Sequence, residues 1–154
     1  MNKESSWEEC IETSASLKVS PNKSKAKSSI ETAEGRTIFL EETSVKENNA
    51  NYIFENYYSS VLEMMHSLVL LNGYNVGNHI CLGYFLRDVL SNEELYRLFD
   101  DCRSKRNSLI YYGKKMDFET AKTGIDNCKK LIGELKLLLE HEARGVRERR
   151  LGMS

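Results

Sequence analysis

Hydrophobic residues recur every three or four positions along most of the chain, which is the spacing of one face of an α-helix. The strongest case is residues 52–71, where apolar side chains cover most of the helix circumference. Such coverage predicts a central helix that other helices contact on several sides. Asn72-Gly73 is predicted to end it, since glycine readily adopts the left-handed conformation found at helix ends.

Capping residues predict where other helices begin. Ser20-Pro21 is predicted to open one helix, because proline is well tolerated in a first turn. Residues 91–94 have the form of a capping box and predict a helix that ends at Gly113. Asp117 is predicted to cap the last helix, whose apolar stripe continues to Leu139.

These patterns predict an all-α protein, a compact bundle of about five helices with a short N-terminal helix at Trp7. No segment alternates in the way that strands do. The length of 154 residues fits a single domain. We expect the helical core to cover about residues 7–140, and residues 141–154 to form a charged, frayed tail.

One predicted helix carries cations on its apolar stripe, and this is the main anomaly in the sequence. The stripe contains Leu95, Phe99, Cys102, Arg106 and Leu109. A guanidinium removed from water is costly unless it is paired and hydrogen-bonded. A second, polar line lies about a quarter-turn away, at Asp100, Arg103, Asn107 and Tyr111. The stretch is therefore the leading candidate for a functional site.

The charge balance restricts the possible partners. The chain has 22 basic and 23 acidic residues and a formal net charge of -1. No global field favours nucleic acid or an anionic membrane, so any nucleic-acid site must be local. The lysines of residues 23–27 are interpreted as a solvated face, with a binding patch as the alternative. No apolar run reaches the roughly 18 residues of a membrane span, and the N-terminus lacks a signal core, so we expect no membrane association and a cytoplasmic location.

Four cysteines, at positions 10, 81, 102 and 128, are far apart in the sequence. They form no CxxC pair and have no histidine at ligand spacing, so neither a metal site nor a cofactor is expected. We expect them to be reduced residues of the core.

His79 is the histidine with a predicted chemical role. It falls in the first turn of a short helix that Asn78 is predicted to cap, and there the helix dipole disfavours a protonated imidazole. A neutral His79 could accept or donate a proton near neutral pH. His66 is predicted to be a packed or partly exposed core residue rather than a catalytic one.

A helical bundle with a GYNVGNH turn between its middle helices and an RNSLIYYG segment in the next helix resembles the HEPN domains. The resemblance extends over about residues 7–139. It implies a homodimer in which the arginine-bearing helix faces its twofold mate. Many members of that family are metal-independent ribonucleases, often toxins encoded beside a nucleotidyltransferase-like antitoxin.

The family motif is an arginine, commonly followed by a polar residue, with a histidine four to six residues further on. Arg106 and Asn107 match its start, and Tyr111 or Tyr112 takes the place of the histidine. Metal-free cleavage of RNA needs a base for the 2′-hydroxyl proton, an acid, and positive charge on the phosphorane. Tyrosine, with a pKa near about 10, is a poor base at neutral pH.

The resemblance therefore favours a HEPN-like protein that binds RNA or a nucleotide, a toxin-like partner of a nucleotidyltransferase with weak or lost ribonuclease activity. The candidate catalytic residues are Arg106, Asn107 and Tyr111, and the candidate binding residues are Arg103, Asp100, Tyr112 and His79. One alternative is a non-catalytic dimerisation or interaction module. Another is that the arginines merely pair with Asp100, Asp101 or Asp117 as an ion network.

Overall fold

The structure of the chain, a computed structural model, describes residues 4–111 and 115–150. These residues form six α-helices, one π-helical turn and one small two-stranded sheet, so the predicted all-α class is confirmed. The elements in chain order are α1 (Trp7–Glu12), β1 (Ser16–Lys18), α2 (Lys23–Glu41), α3 (Ala50–Leu71), β2 (Tyr74–Val76), α4 (His79–Tyr84), the π-helical turn (Phe85–Val89), α5 (Glu93–Tyr111) and α6 (Phe118–Arg150).

Helix α3 is the centre of the bundle, as its apolar coverage predicts. It packs between α2 and α6 and also contacts α4 and α5. Its large side chains are almost completely buried, among them Phe54, Tyr57, Tyr58, Met64, Met65 and Leu68. Gly73 follows it with a φ of +87°, which confirms the predicted glycine at the helix end. A Cβ there would lie 3.2 Å from the Val19 carbonyl oxygen.

The small sheet is the first departure from the predicted all-helical chain. Strands β1 and β2 pair antiparallel, with Ser16 opposite Val76 and Lys18 opposite Tyr74. The prediction that no segment forms a strand is therefore wrong here. Strands of three residues are too short to show a clear alternation, and their pairing joins segments that lie far apart in the sequence.

At two helix starts where the sequence predicted serine, asparagine is the capping residue. Asn22 accepts a hydrogen bond from the Lys25 N–H at 3.0 Å, so α2 begins after Ser20-Pro21 and not there as predicted. Asn92 accepts from the Leu95 N–H at 3.0 Å, so the predicted start of α5 is confirmed with a different capping residue. An asparagine carboxamide reaches the third N–H of a helix as well as a serine hydroxyl does.

Other predicted caps are confirmed. Asn78 accepts from the Cys81 N–H at 2.9 Å, which places His79 in the first turn of α4. Asp117 accepts from the Thr120 N–H at 2.8 Å and opens α6. The predicted end of α5 at Gly113 lies outside the described residues.

The C-terminal segment departs from the predicted frayed tail, because α6 continues as a helix to Arg150. Loss of the apolar stripe after Leu139 does not end the helix, since alanine, glutamate and arginine all have high helix propensity.

Two of the four cysteines are joined, which corrects the prediction that all are reduced. Cys10 and Cys81 form a disulfide that links α1 to α4 across 71 positions of sequence. Cys102 and Cys128 are free and buried, with their sulfur atoms 3.9 Å apart. The sequence could not reveal the first pair, because α1 must fold back on α4 before the two residues meet.

No group of three or more metal-ligating side chains that could hold a metal ion occurs among the described residues. No helix in the described ranges is both long enough and apolar enough to cross a membrane.

Candidate functional site

Arg106 follows the buried stripe of α5 and is the cation that the sequence singled out. Phe99 and Cys102 on that stripe have no exposed surface, whereas Arg106 is half-buried. Its guanidinium carbon lies 5.9 Å from the centre of the Tyr58 ring, within the range of a cation–π contact. Among the side chains that the structure describes, the guanidinium forms no ion pair or hydrogen bond, and the Tyr58 ring is the group that it contacts.

Tyr58 connects Arg106 to His79. Its hydroxyl oxygen lies 3.4 Å from the Nδ1 atom of His79, and its ring is packed between Phe54 and Phe99 with centroid distances of 6.3 Å. Helices α3, α4 and α5 therefore each contribute one side chain to the same place. The sequence left open whether His79 comes near the arginine, and the structure brings the two together around Tyr58.

The burial of Tyr58 determines the direction of this hydrogen bond. The residue is only 1% exposed, and its hydroxyl has no other hydrogen-bond partner in the described part of the chain. A buried hydroxyl that donates to nothing is costly, so Tyr58 donates its proton to Nδ1 of His79. We infer from this that the neutral imidazole carries its proton on Nε2.

His79 is neutral at physiological pH for reasons other than the helix dipole. Burial, together with the positive charge of Arg106 and smaller contributions from His66 and Arg103, lowers its pKa from 6.5 to about 4. His79 is therefore neutral at pH 7. Burial also raises the pKa of Tyr58, against the opposing charge of Arg106, so its hydroxyl keeps its proton.

Arg103 and Asp100 pair with each other one helical turn apart. The Arg103 Nη2 and Nε atoms lie 2.8 and 2.9 Å from Asp100 Oδ1. Of the other two carboxylates considered, Asp101 pairs with Lys105, and Asp117 accepts hydrogen bonds from Thr120. The ion-network interpretation is therefore confirmed for Arg103 and is wrong for Arg106.

The structure describes the remaining candidate site residues less completely. Asn107 is half-buried beside Arg106 on α5, and its side chain makes no hydrogen bond within the described ranges. The backbone of Tyr111 forms the end of α5, but its side chain, like the whole of Tyr112, lies outside the described residues.

Tyr58 is the site residue that the sequence analysis missed. It lies on the most apolar helix, four residues after Phe54, and its spacing is that of any core aromatic residue. Only its polar tip distinguishes it, because a tyrosine in a fully buried position normally needs a hydrogen-bond partner. That requirement is the signal that could have pointed to Tyr58.

Comparison with protein-family models, with curated proteins and with solved structures found no match for this chain. The function is therefore argued from the chemistry of the cluster formed by Arg106, Tyr58 and His79.

Proposed function

We propose that the protein is a HEPN-like domain that binds the phosphate groups of RNA or of a nucleotide at Arg106, with metal-independent ribonuclease activity that is weak or lost. The observation that carries the proposal is the half-buried Arg106 guanidinium, which has no carboxylate partner among the described residues. A partly desolvated charge of this kind is stabilised when an anion reaches it. Phosphate oxygens match the fork of a guanidinium in a bidentate contact.

His79 supports binding as a neutral donor. With Nδ1 accepting from Tyr58, the Nε2–H group lies on the opposite side of the ring and is directed away from Tyr58. A neutral N–H donor in the same cluster can donate a hydrogen bond to a phosphate oxygen. It adds a hydrogen bond without adding a second positive charge next to Arg106.

The same arrangement explains why binding is favoured over cleavage. Cutting RNA without metal requires a base that takes the proton of the 2′-hydroxyl. Nδ1 of His79 is occupied by the Tyr58 proton, and Nε2 already carries a proton. Tyr58 is itself buried and protonated, so neither residue is a competent base at neutral pH.

The other candidates have secondary roles in this proposal. Arg103 adds positive charge near the cluster, but its pairing with Asp100 neutralises much of it. Asn107 supplies an amide next to Arg106 in sequence. Tyr111 and Tyr112, which take the place of the motif histidine, stay predictions, as do the homodimer and the nucleotidyltransferase partner that the resemblance implies.

A second candidate is a non-catalytic interaction module, in which Arg106 receives a carboxylate from another copy of the chain or from a partner protein. The unpaired guanidinium is compatible with this as well. The two candidates differ in the expected effect of Arg106→Ala and of added nucleotide. In the interaction module, Arg106→Ala shifts the monomer–dimer equilibrium, and no nucleotide raises the thermal midpoint.

An RNA cleavage assay with and without a chelator, run beside Arg106→Ala, tests the enzymatic part. We expect little or no cleavage by the wild type, unaffected by chelator. Rapid cleavage that survives chelator and disappears in Arg106→Ala would show an active ribonuclease and refute the loss of activity. Light scattering on the same samples separates binding from an effect on oligomeric state.

A further inference from the structure

A cavity of about 410 Å³ lies apart from the Arg106 cluster and shares no lining residue with it. The first two turns of α2, the end of α3 and strand β2 enclose it. Lys25 and Ser29 line it from α2, His66 and Leu70 from α3, and Tyr74 from β2. Its volume is within the range of about 300–1,000 Å³ that is usual for small-molecule sites.

The lining of this cavity is electropositive. Lys25 and His66 both line it, and neither forms an ion pair or a hydrogen bond through its side chain with any side chain that the structure describes. None of the described lining residues is an aspartate or a glutamate. The Lys25 ammonium without a counter-charge, beside an imidazole that can donate a hydrogen bond or take up a proton, favours an anion between them.

The two basic groups are close enough to interact. The pKa of His66 is lowered, first by the protein atoms around its ring and second by the positive charge of Lys25, although the residue as a whole is exposed. The Lys25 charge opposes protonation of His66, and a negative group between them would offset that effect. An anion would therefore stabilise the protonated form of His66 in addition to pairing with Lys25.

The size and the apolar part of the lining indicate more than a bare ion. A single phosphate fills only a fraction of 410 Å³, and the remaining surface includes Val69, Leu70 and the ring of Tyr74. Lys25, His66 and the Ser29 hydroxyl offer three donor groups from two different helices. Three donors suit the three terminal oxygens of a phosphomonoester better than the two oxygens of a carboxylate.

We propose that this cavity binds a small organic phosphomonoester, with its phosphate between Lys25 and His66 and its organic part against Leu70 and Tyr74. The lysines at the start of α2 were interpreted from the sequence as a solvated face. In this proposal Lys25 differs from its neighbours, because it alone among them lines the cavity. This proposal does not depend on the Arg106 cluster, and a test of one site does not decide the other.

Phenyl phosphate is the probe, compared with inorganic phosphate and benzoate, and the readouts are the His66 ring proton signal in NMR and the thermal midpoint. His66→Gln assigns the signal. We expect phenyl phosphate to bind more tightly than either of the other two compounds. Lys25→Gln and His66→Gln should each weaken its binding by about tenfold or more, the usual effect of losing a hydrogen bond to a charged group.

Lys27→Gln is the matched control, because it removes the same charge from the same helix outside this cavity. It should leave the affinity for phenyl phosphate unchanged. All three substituted residues are exposed, so the variants are expected to fold, and circular dichroism checks this. The proposal is refuted if phenyl phosphate leaves the His66 signal unmoved, if benzoate binds as tightly, or if Lys27→Gln weakens binding as much as Lys25→Gln.

Discussion

Acidification is expected to destabilise the wild-type protein more than a His79→Gln variant, because folding holds His79 in its neutral form. In the unfolded chain the imidazole takes up a proton near its ordinary pKa of 6.5, whereas in the folded protein it does so only near about 4. Between these values the unfolded state binds more protons, so the free energy of unfolding falls as the pH falls. Well above pH 6.5 both states hold a neutral His79, and the difference vanishes.

The magnitude follows from the two pKa values. A tenfold change in proton affinity corresponds to about 1.4 kcal/mol, so a pKa lowered from 6.5 to about 4 sets an upper limit of about 3.4 kcal/mol. His79 is only half-buried, and water screens its interactions with Arg106 and Arg103. We therefore expect about 1–2 kcal/mol after this discount.

Urea unfolding of wild type and His79→Gln between pH 4.5 and 7.5, taken as a difference, isolates this contribution. Carboxylates titrate in both proteins and largely cancel in the difference, and so does His66 apart from its small interaction with His79. Glutamine is a suitable replacement because its amide oxygen can still accept the Tyr58 proton. Parallel pH profiles for the two proteins would refute the neutral, Tyr58-bonded state of His79 on which the binding interpretation rests.

Reducing the Cys10–Cys81 disulfide, which spans 71 positions, should lower the free energy of unfolding by about 2–4 kcal/mol. Denaturant unfolding with and without reductant measures this, and an unchanged midpoint would mean that the bond does not form. Gly124→Ala should destabilise the protein by about 1–3 kcal/mol, because its Cβ would lie 2.7 Å from the fully buried Phe54 ring. Gly133→Ala on the same helix meets no atom within 4 Å and should be neutral or stabilising by up to about 1 kcal/mol in the same experiment, so an equal loss in both variants would contradict the steric argument.

The sequence predicted those parts of the fold that depend on local pattern. The apolar coverage of residues 52–71 identified the central helix α3, and Asn78 and Asp117 were correctly identified as caps, because these signals lie within one or two turns. The sheet of β1 and β2 and the Cys10–Cys81 bond were missed. Both depend on the N-terminal segment folding back onto residues near 75–81, which no local spacing encodes.

The sequence predicted only part of the candidate site, because only the local features of that site can be read from residue spacing. Arg106 could be identified from the sequence because a cation on an apolar stripe is a local anomaly. Its resemblance to the first half of a known motif is a local feature as well. The ion pair with Asp100, which neutralises much of the Arg103 charge, is also local, one turn along α5. Tyr58 could not be identified as a site residue from the sequence, because its place in the site depends on how α3, α4 and α5 pack together.

Equilibrium binding of a labelled single-stranded RNA to wild type, Arg106→Ala and Arg97→Ala tests the central claim most directly. Arg97 is the matched control, because it lies on the same helix, pairs with Glu93 and is 76% exposed. We expect Arg106→Ala to weaken binding by about tenfold or more, the effect of losing a charge-assisted contact to phosphate, and Arg97→Ala to have little effect. Equal affinity of wild type and Arg106→Ala would contradict the assignment of the phosphate site to Arg106.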